Sequence, residues 1–281
     1  MQTLSSPKTL LMGIINATDD SFSGDGIGAS VDAAVAQAIQ MEKDGADILD
    51  IGAESSRRFS IYYDVNTPII TPEEEIAKLL PIIKAVKNAV KIPISIDTYK
   101  ASVARACLEV GVDMINDIKG LEDPEMISVI KDFQVPVVIM HMKEMAGSGW
   151  RVAGSEMPDS LYGDVLQEVK EFLRERFEKA KNAGIETIFI DPGIGFGKTT
   201  QDSLKLLKHL KEFTEIAPVL IGTSRKSFIG QINGNIPPNE RLPGTLGSLA
   251  VSVMNGAKIL RVHDVKEAKQ CVEVVESVEE I

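Results

Sequence analysis

Several common kinds of protein are excluded by what this sequence has little of. Two cysteines, Cys107 and Cys271, occur in 281 residues, and neither has a C-x-x-C neighbour. That rules out a disulfide framework and a cysteine-ligated zinc site, and points to reduced thiols in a cytoplasmic protein. No apolar run approaches the roughly 20 residues of a membrane helix, and the opening MQTLSSPKTL lacks a signal-peptide core, so no membrane partner is expected. There is no basic excess. The net charge of −11 argues against nucleic acid as a partner, while leaving room for a local basic pocket that holds a small anion. No G-x-G-x-x-G opens the first helical stretch, and there is no internal repeat or low-complexity segment.

What the chain does have is rhythm. Hydrophobic residues make up 44% of it, enough for a sizeable core. They gather in short continuous runs, each followed by an amphipathic stretch. The runs are TLLMGIIN (Thr9–Asn16), DILDIGAE (Asp47–Glu54), IPISIDT (Ile92–Thr98), DMINDI (Asp113–Ile118), VPVVIMHM (Val135–Met142), TIFIDPG (Thr187–Gly193), APVLIGTS (Ala217–Ser224) and AKILRVHD (Ala257–Asp264). Continuous rather than alternating runs suit parallel strands buried on both faces. Thr71, Pro72 and Glu74 form a capping-box signature, and Gly45, Gly111, Gly184 and Gly256 each follow a helical run. Eight strand–helix units within 281 residues predict a single-domain α/β fold, a (β/α)8 TIM barrel over residues 1–281. A doubly wound open sheet is the alternative. Two long loops, after strands two and five, fall on the face where such barrels place their active sites.

In a barrel the residues at the C-terminal ends of the strands share one pocket. Here they are Asn16, Glu54 (followed by Ser56, Arg57 and Arg58), Asp97, Asn116 with Asp117, His141, Asp191, Lys226 with Ser227 just past Gly222, and Arg261 with His263. Barrels often bind phosphate with the loops after strands seven and eight, so SRKS and RVH read as one anion-binding rim, against the plainer reading of solvated loop ends. Asp97, Asn116 and Asp191 follow apolar runs and should be partly buried. A planar heterocycle with an amino group and a ring N–H would satisfy them. Asp97 could instead cap a helix, and Asp191 could belong to a turn. PGIGFGKTT resembles a P-loop, but Pro192 stands where the first glycine is required. Its glycines fit a close approach of backbone to a flat ligand, with Phe196 able to pack against it.

The motifs MGIINATDDSFS, GADILDIGAESSR, PISIDT, MINDI, VVIMHM, IFIDPGIGFGKT, IGTSRKSFIG, GTLGSLA and NGAKILRVHDV run in order from Met12 to Val265. Together they resemble the dihydropteroate synthase family. Pterin-binding methyltransferases share the barrel and the acids but not the combination of SRKSFIG with RVHDV. The resemblance implies a transferase that joins 6-hydroxymethyl-7,8-dihydropterin pyrophosphate to 4-aminobenzoate, and a homodimer. It implies that Asp97, Asn116, Asp191 and Lys226 hold the pterin. Arg261, His263 and Asn16 would hold the pyrophosphate, with Mg²⁺ at Asn16. Ser56, Arg57, Phe196 and Ser227 would face the aminobenzoate, beside Gly222. The chain departs from the family at Asp19, at Ser56–Phe59, in a longer loop bearing Tyr62 and Tyr63, and after Met142. All of these lie on the aminobenzoate side, which leaves open a different arylamine acceptor or a non-catalytic pterin-binding paralogue.

Overall fold

The computed structural model describes residue 4 and residues 8–17, 30–54, 70–143 and 160–281. The two long loops predicted after strands two and five, with Ser56, Arg57 and Trp150, lie outside the described residues.

All eight apolar runs become strands: β1 (Leu10–Asn16), β2 (Ile48–Gly52), β3 (Ile94–Asp97), β4 (Met114–Asp117), β5 (Val137–Met140), β6 (Ile188–Asp191), β7 (Val219–Ile221) and β8 (Ala257–Val262). They form a closed barrel in sequence order. Each pairs in parallel with the next, and β8 returns to β1 with Arg261 opposite Met12. The open-sheet alternative is thereby removed.

The runs are continuous because each strand is apolar on both faces, and alternate residues serve different cores. Leu11, Leu49, Ile51, Ile96, Ile115, Ile139, Ile190 and Leu260 pack in one cluster with helix residues such as Ala34, Leu79, Val169 and Leu249. Leu10, Met12, Ile48, Met114, Val138, Phe189, Leu220 and Ile259 form a second cluster drawn from strands, with Leu4 beside it. The second set fills the barrel, as a layered plug rather than a pore.

The surrounding helices are α1 (Val31–Lys43), α2 (Pro72–Ala89), α3 (Ala101–Glu109), α4 (Met126–Phe133), α5 (Val165–Asn182), α6 (Thr200–Lys208), α7 (Ser227–Ile232), α8 (Leu242–Met254) and α9 (Val265–Glu279). The Thr71–Glu74 capping box forms as predicted, and Thr199 with Asp202 makes another at α6. Gly45, Gly111, Gly184 and Gly256 all take positive φ just beyond a helix, where a side chain would be strained. The simple rhythm misses one feature: two helices lie between β7 and β8. Gly234 and the Pro237–Pro238 pair end α7 early, and the chain restarts at α8.

Candidate active site

One step above the apolar plug, the inward positions of the strands turn polar. On β2 the alternation reads Ile48, Asp50, Gly52, and Asp50 is completely buried. Its Oδ2 accepts from Arg261 Nε at 2.6 Å and from Asn116 Nδ2 at 3.0 Å. Arg261 also donates from Nη2 to Asp97 Oδ2 at 2.9 Å. A single guanidinium therefore spans two carboxylates from adjacent strands, a geometry that suits its planar fork. Burial pushes the Asp97 carboxyl up to about 7, against the pull of Arg261 and with the help of Asp50. Burial also opposes the charge on Arg261, but Asp50 and Asp97 outweigh it and hold Arg261 above its usual range. The helix-cap reading of Asp97 does not survive: α3 begins after Lys100 and carries no side-chain cap.

Across the mouth, Asp191 accepts from the Gly193 amide at 2.7 Å, so the expected turn forms as well. Burial raises the Asp191 carboxyl, and Lys226 opposes the shift. Lys226 donates to the Ile194 carbonyl, and its Nζ stands 4.4 Å from the centre of the Phe196 ring. Burial lowers its ammonium to about 8, with Asp191 opposing. Gly222 lies between the two cations. A Cβ there would meet Arg261 Cβ at 3.7 Å and Lys226 Nζ at 4.0 Å. Ser227 is buried at the start of α7.

The loops after β7 and β8 do meet, as the anion-rim reading expects. His263 Nδ1 lies 3.0 Å from Ser224 Oγ, and the His263 amide donates to the same hydroxyl at 3.2 Å. Arg225 braces this junction by a bidentate pair with Asp264 at 3.1 and 2.6 Å. Arg261 and Lys226, however, face the acids instead of standing outward on the rim. Asn16 ends β1, half-buried and in register with Gly52. Among the described residues no group of three or more His, Cys, Asp or Glu is placed to hold a metal.

Asp97, Asn116, Asp191, Phe196, Gly222, Lys226 and Arg261 are thus drawn together by direct contacts or shared neighbours, and His263 joins through Ser224. The motif reading passed over Asp50, Lys198 and the Lys100 cluster. Asp50 was legible from the two-residue period of β2. Lys100 donates to Glu54 at 2.6 Å, to Glu75 at 2.7 Å and to the Ile70 carbonyl at 2.9 Å, joining residues on either side of the 55–69 segment. No local sequence signal marks that bridge.

Among the described glycines, Gly193 is where the backbone leaves least room. Its φ is +68°, and a Cβ would fall 1.9 Å from the His141 carbonyl oxygen. Gly193→Ala should therefore lower stability by about 3–5 kcal/mol, at the severe end for one substitution. Urea unfolding would show it as a reduced midpoint with an unchanged slope.

Comparison with known proteins gives a consistent result. The pterin binding enzyme family matches residues 12–263. The chain is 40% identical over 265 residues to the dihydropteroate synthase of Clostridium beijerinckii, covering 92% of this chain and 90% of that one. The Xanthomonas albilineans dihydropteroate synthase with 4-aminobenzoic acid superimposes with a TM-score of 0.85 at 38% identity, over 98% of this chain and 94% of that one. The same enzyme in complex with 7,8-dihydropteroate gives a TM-score of 0.81 at 35% identity, with the same coverage.

Proposed function

The chain belongs to the pterin binding enzyme family, and we propose that it joins 6-hydroxymethyl-7,8-dihydropterin pyrophosphate to 4-aminobenzoate, the dihydropteroate synthase reaction. The observation that carries this reading is the convergence of Asp97, Asn116, Asp191 and Lys226 on one mouth, with Arg261 spanning Asp50 and Asp97.

The pterin ring carries an amino group and a ring N–H on one edge and acceptors on the other. Carboxylates at Asp97 and Asp191 and the amide of Asn116 answer the donors; the Lys226 ammonium answers an acceptor. Ring and acids satisfy one another, so the cost of burying either alone disappears. Asp50 orients Asn116 directly and, through Arg261, Asp97. Asp50→Asn should weaken pterin pyrophosphate binding about tenfold while leaving the KM for 4-aminobenzoate within about twofold, as titration calorimetry and initial rates would show.

In the reaction the bond from the pterin CH₂ to oxygen breaks and its electrons leave with pyrophosphate. The aminobenzoate nitrogen forms the new C–N bond and releases a proton. Arg261 engages the carboxylates through Nε and Nη2, so its Nη1 donors remain for the leaving group. His263, just beyond β8 and two residues after Arg261, adds a donor, and Asn16 offers an amide oxygen at the end of β1. One protein oxygen fits magnesium, which usually takes one or two from protein and completes its octahedron with phosphate and water. When bound there it would neutralise charge developing on pyrophosphate. Phe196, Gly222 and Ser227 are assigned to the aminobenzoate, as are Ser56 and Arg57, which lie outside the described residues.

Two coarser features complete the reading. Cys107 and Cys271 are free thiols, in keeping with a cytoplasmic enzyme. Val251 and Met254 on α8 and Val274 and Val278 on α9, neighbouring helices, are 43–66% exposed and suit the interface of a homodimer. Sedimentation equilibrium tests the latter. Among the described residues no helix is long and apolar enough to cross a membrane.

The test of function is pyrophosphate release from the pterin pyrophosphate with Mg²⁺, with and without 4-aminobenzoate, and mass spectrometry of the product. Aminobenzoate-dependent release with dihydropteroate formed is the expected result. Pterin binding with no such product would refute it, and would move the reading to another arylamine or to a paralogue that has lost catalysis.

A further inference from the structure

Lys198 lies in the glycine-rich stretch that resembles a P-loop, yet its side chain has 0% exposure and cannot reach a phosphate in solution. Its ammonium has three N–H donors and meets three acceptors. They are Nδ1 of His141 at 3.0 Å, the His141 carbonyl at 3.3 Å and the Phe196 carbonyl at 3.0 Å. None is a carboxylate. Two belong to the residue that follows β5 and one to the loop that follows β6, so the ammonium joins the exits of neighbouring strands.

The surroundings are built to receive it. Burial first, and the nearby Lys198 second, hold His141 far below the usual histidine range, so the ring is neutral and Nδ1 can accept. The ring is itself fixed edge-on against Phe172 at 4.9 Å. Gly193, Gly195 and Gly197 all take positive φ, which lets the backbone curl over the ammonium. A Cβ at Gly197 would strike the Lys143 carbonyl at 2.3 Å, so the loop lies flat against the β5 exit. On its other side the same loop offers the Ile194 carbonyl and the Phe196 ring to Lys226.

We infer that Lys198 is a positioning residue, whose buried ammonium pins the 193–197 loop to the end of β5 and thereby sets Phe196 and the Ile194 carbonyl against Lys226. This rests on the reaction proposed above. A buried lysine with a lowered pKa (here about 7, from burial, with Asp191 opposing) often marks a Schiff-base nucleophile. Here all three donors are engaged and the side chain is fully buried, so it acts through the loop.

The test compares wild type with Lys198→Met, which keeps an unbranched stem and removes the ammonium, and with Lys198→Arg, which keeps charge and donors. Each protein is examined by circular dichroism, by titration with the pterin pyrophosphate in Mg²⁺, by steady-state kinetics and by amide exchange. Lys198→Met should fold and raise the KM for 4-aminobenzoate about tenfold as Phe196 loses its place. It should weaken pterin pyrophosphate binding by a smaller factor, since Lys226 is disturbed while Asp97, Asn116 and Asp191 still hold the ring. Amides of 193–197 should exchange at least about tenfold faster, whether or not the reaction runs. Lys198→Arg should bring the KM back to within about threefold of wild type. A folded Lys198→Met with unchanged KM and unchanged loop exchange overturns the inference, as does equal loss toward both substrates. If neither variant folds, the role is structural support of the barrel and the inference is wrong. A wild type that makes no dihydropteroate would sink the functional reading instead, and loop exchange in Lys198→Met would still decide the pin.

Discussion

Asp97→Asn should lower kcat/KM by about 10³ while leaving the unliganded protein at least as stable as wild type at pH 8. The loss follows from chemistry. A charged acceptor for pterin donors contributes about 1.5–3 kcal/mol per hydrogen bond, and two such bonds lost or weakened give roughly that factor. The retained stability follows from burial. Asp97 is held up to about 7, chiefly because the barrel removes its carboxylate from water. A carboxyl whose folded pKa lies above its unfolded value stabilises the fold below the unfolded value and loses that contribution as pH rises through the folded one. Above pH 7 the ionised Asp97 is therefore a liability that asparagine does not carry, and Arg261 still has Asp50 as a partner. At pH 5 the folded wild-type Asp97 is already neutral, so the gap between the two proteins should have narrowed, and it should close only below the ordinary carboxylate value of 3.8. Urea melts at pH 5 and 8, with calorimetric titration of the pterin pyrophosphate, check both halves. A variant that is less stable at pH 8 and binds normally would contradict the whole account of this carboxylate.

The fold was legible because strands and helices each leave a local signal. Apolar runs of a few residues ended in polar ones, and a capping box or a glycine marked many of the helix ends. The split between α7 and α8 was written in Gly234 and the two prolines but was swallowed by the expected rhythm. The site was partly legible, since a barrel collects its strand ends in one place. Naming the ends named Asp97, Asn116, Asp191, Lys226 and Arg261. What strand ends cannot supply is direction. Arg261 stands two residues before His263 and reads as part of the same anion rim, but it lies within β8, one step deeper than His263, where its nearest inward neighbours are acids on β2 and β3. Asp50 is legible only when the DILDIG run is taken as two interleaved faces; taken as one continuous buried strand, the run conceals it. Lys198 was hidden by its own motif. Once the P-loop was set aside, nothing local said that a lysine would turn inward to carbonyl oxygens.

The second large effect concerns that guanidinium. Arg261→Met should reduce kcat/KM by about 10⁴, because it removes a donor to the leaving group and the partner that fixes two pterin-side acids. Its structural effect should also be severe. With the guanidinium gone, Asp50 and Asp97 lose their shared ion-pair partner in a largely buried corner, with Lys226 left as the nearby cation, and breaking such an arrangement typically costs about 3–5 kcal/mol. The sign of its pH dependence is fixed. Arg261 lowers the Asp97 pKa, so its loss moves that carboxyl above 7, and the deficit should grow as pH rises and shrink as pH falls toward 5. Three other groups bear on the same carboxyl. Asp50 from β2, Asp117 from β4 and Glu75 from α2 all push in the raising direction, which reinforces the shift. A double variant supplies the decisive comparison. Asp97→Asn added to Arg261→Met removes one of the two stranded charges, so it should restore stability at pH 8 relative to Arg261→Met alone. The coupling between the two sites should be about 1–3 kcal/mol, the range found for residues in one ion-pair network. Unfolding of all four proteins in urea at pH 5 and pH 8 measures it. If the two substitutions simply add at both pH values, Arg261 and Asp97 do not act as one unit, and the guanidinium bridge is not what organises this mouth.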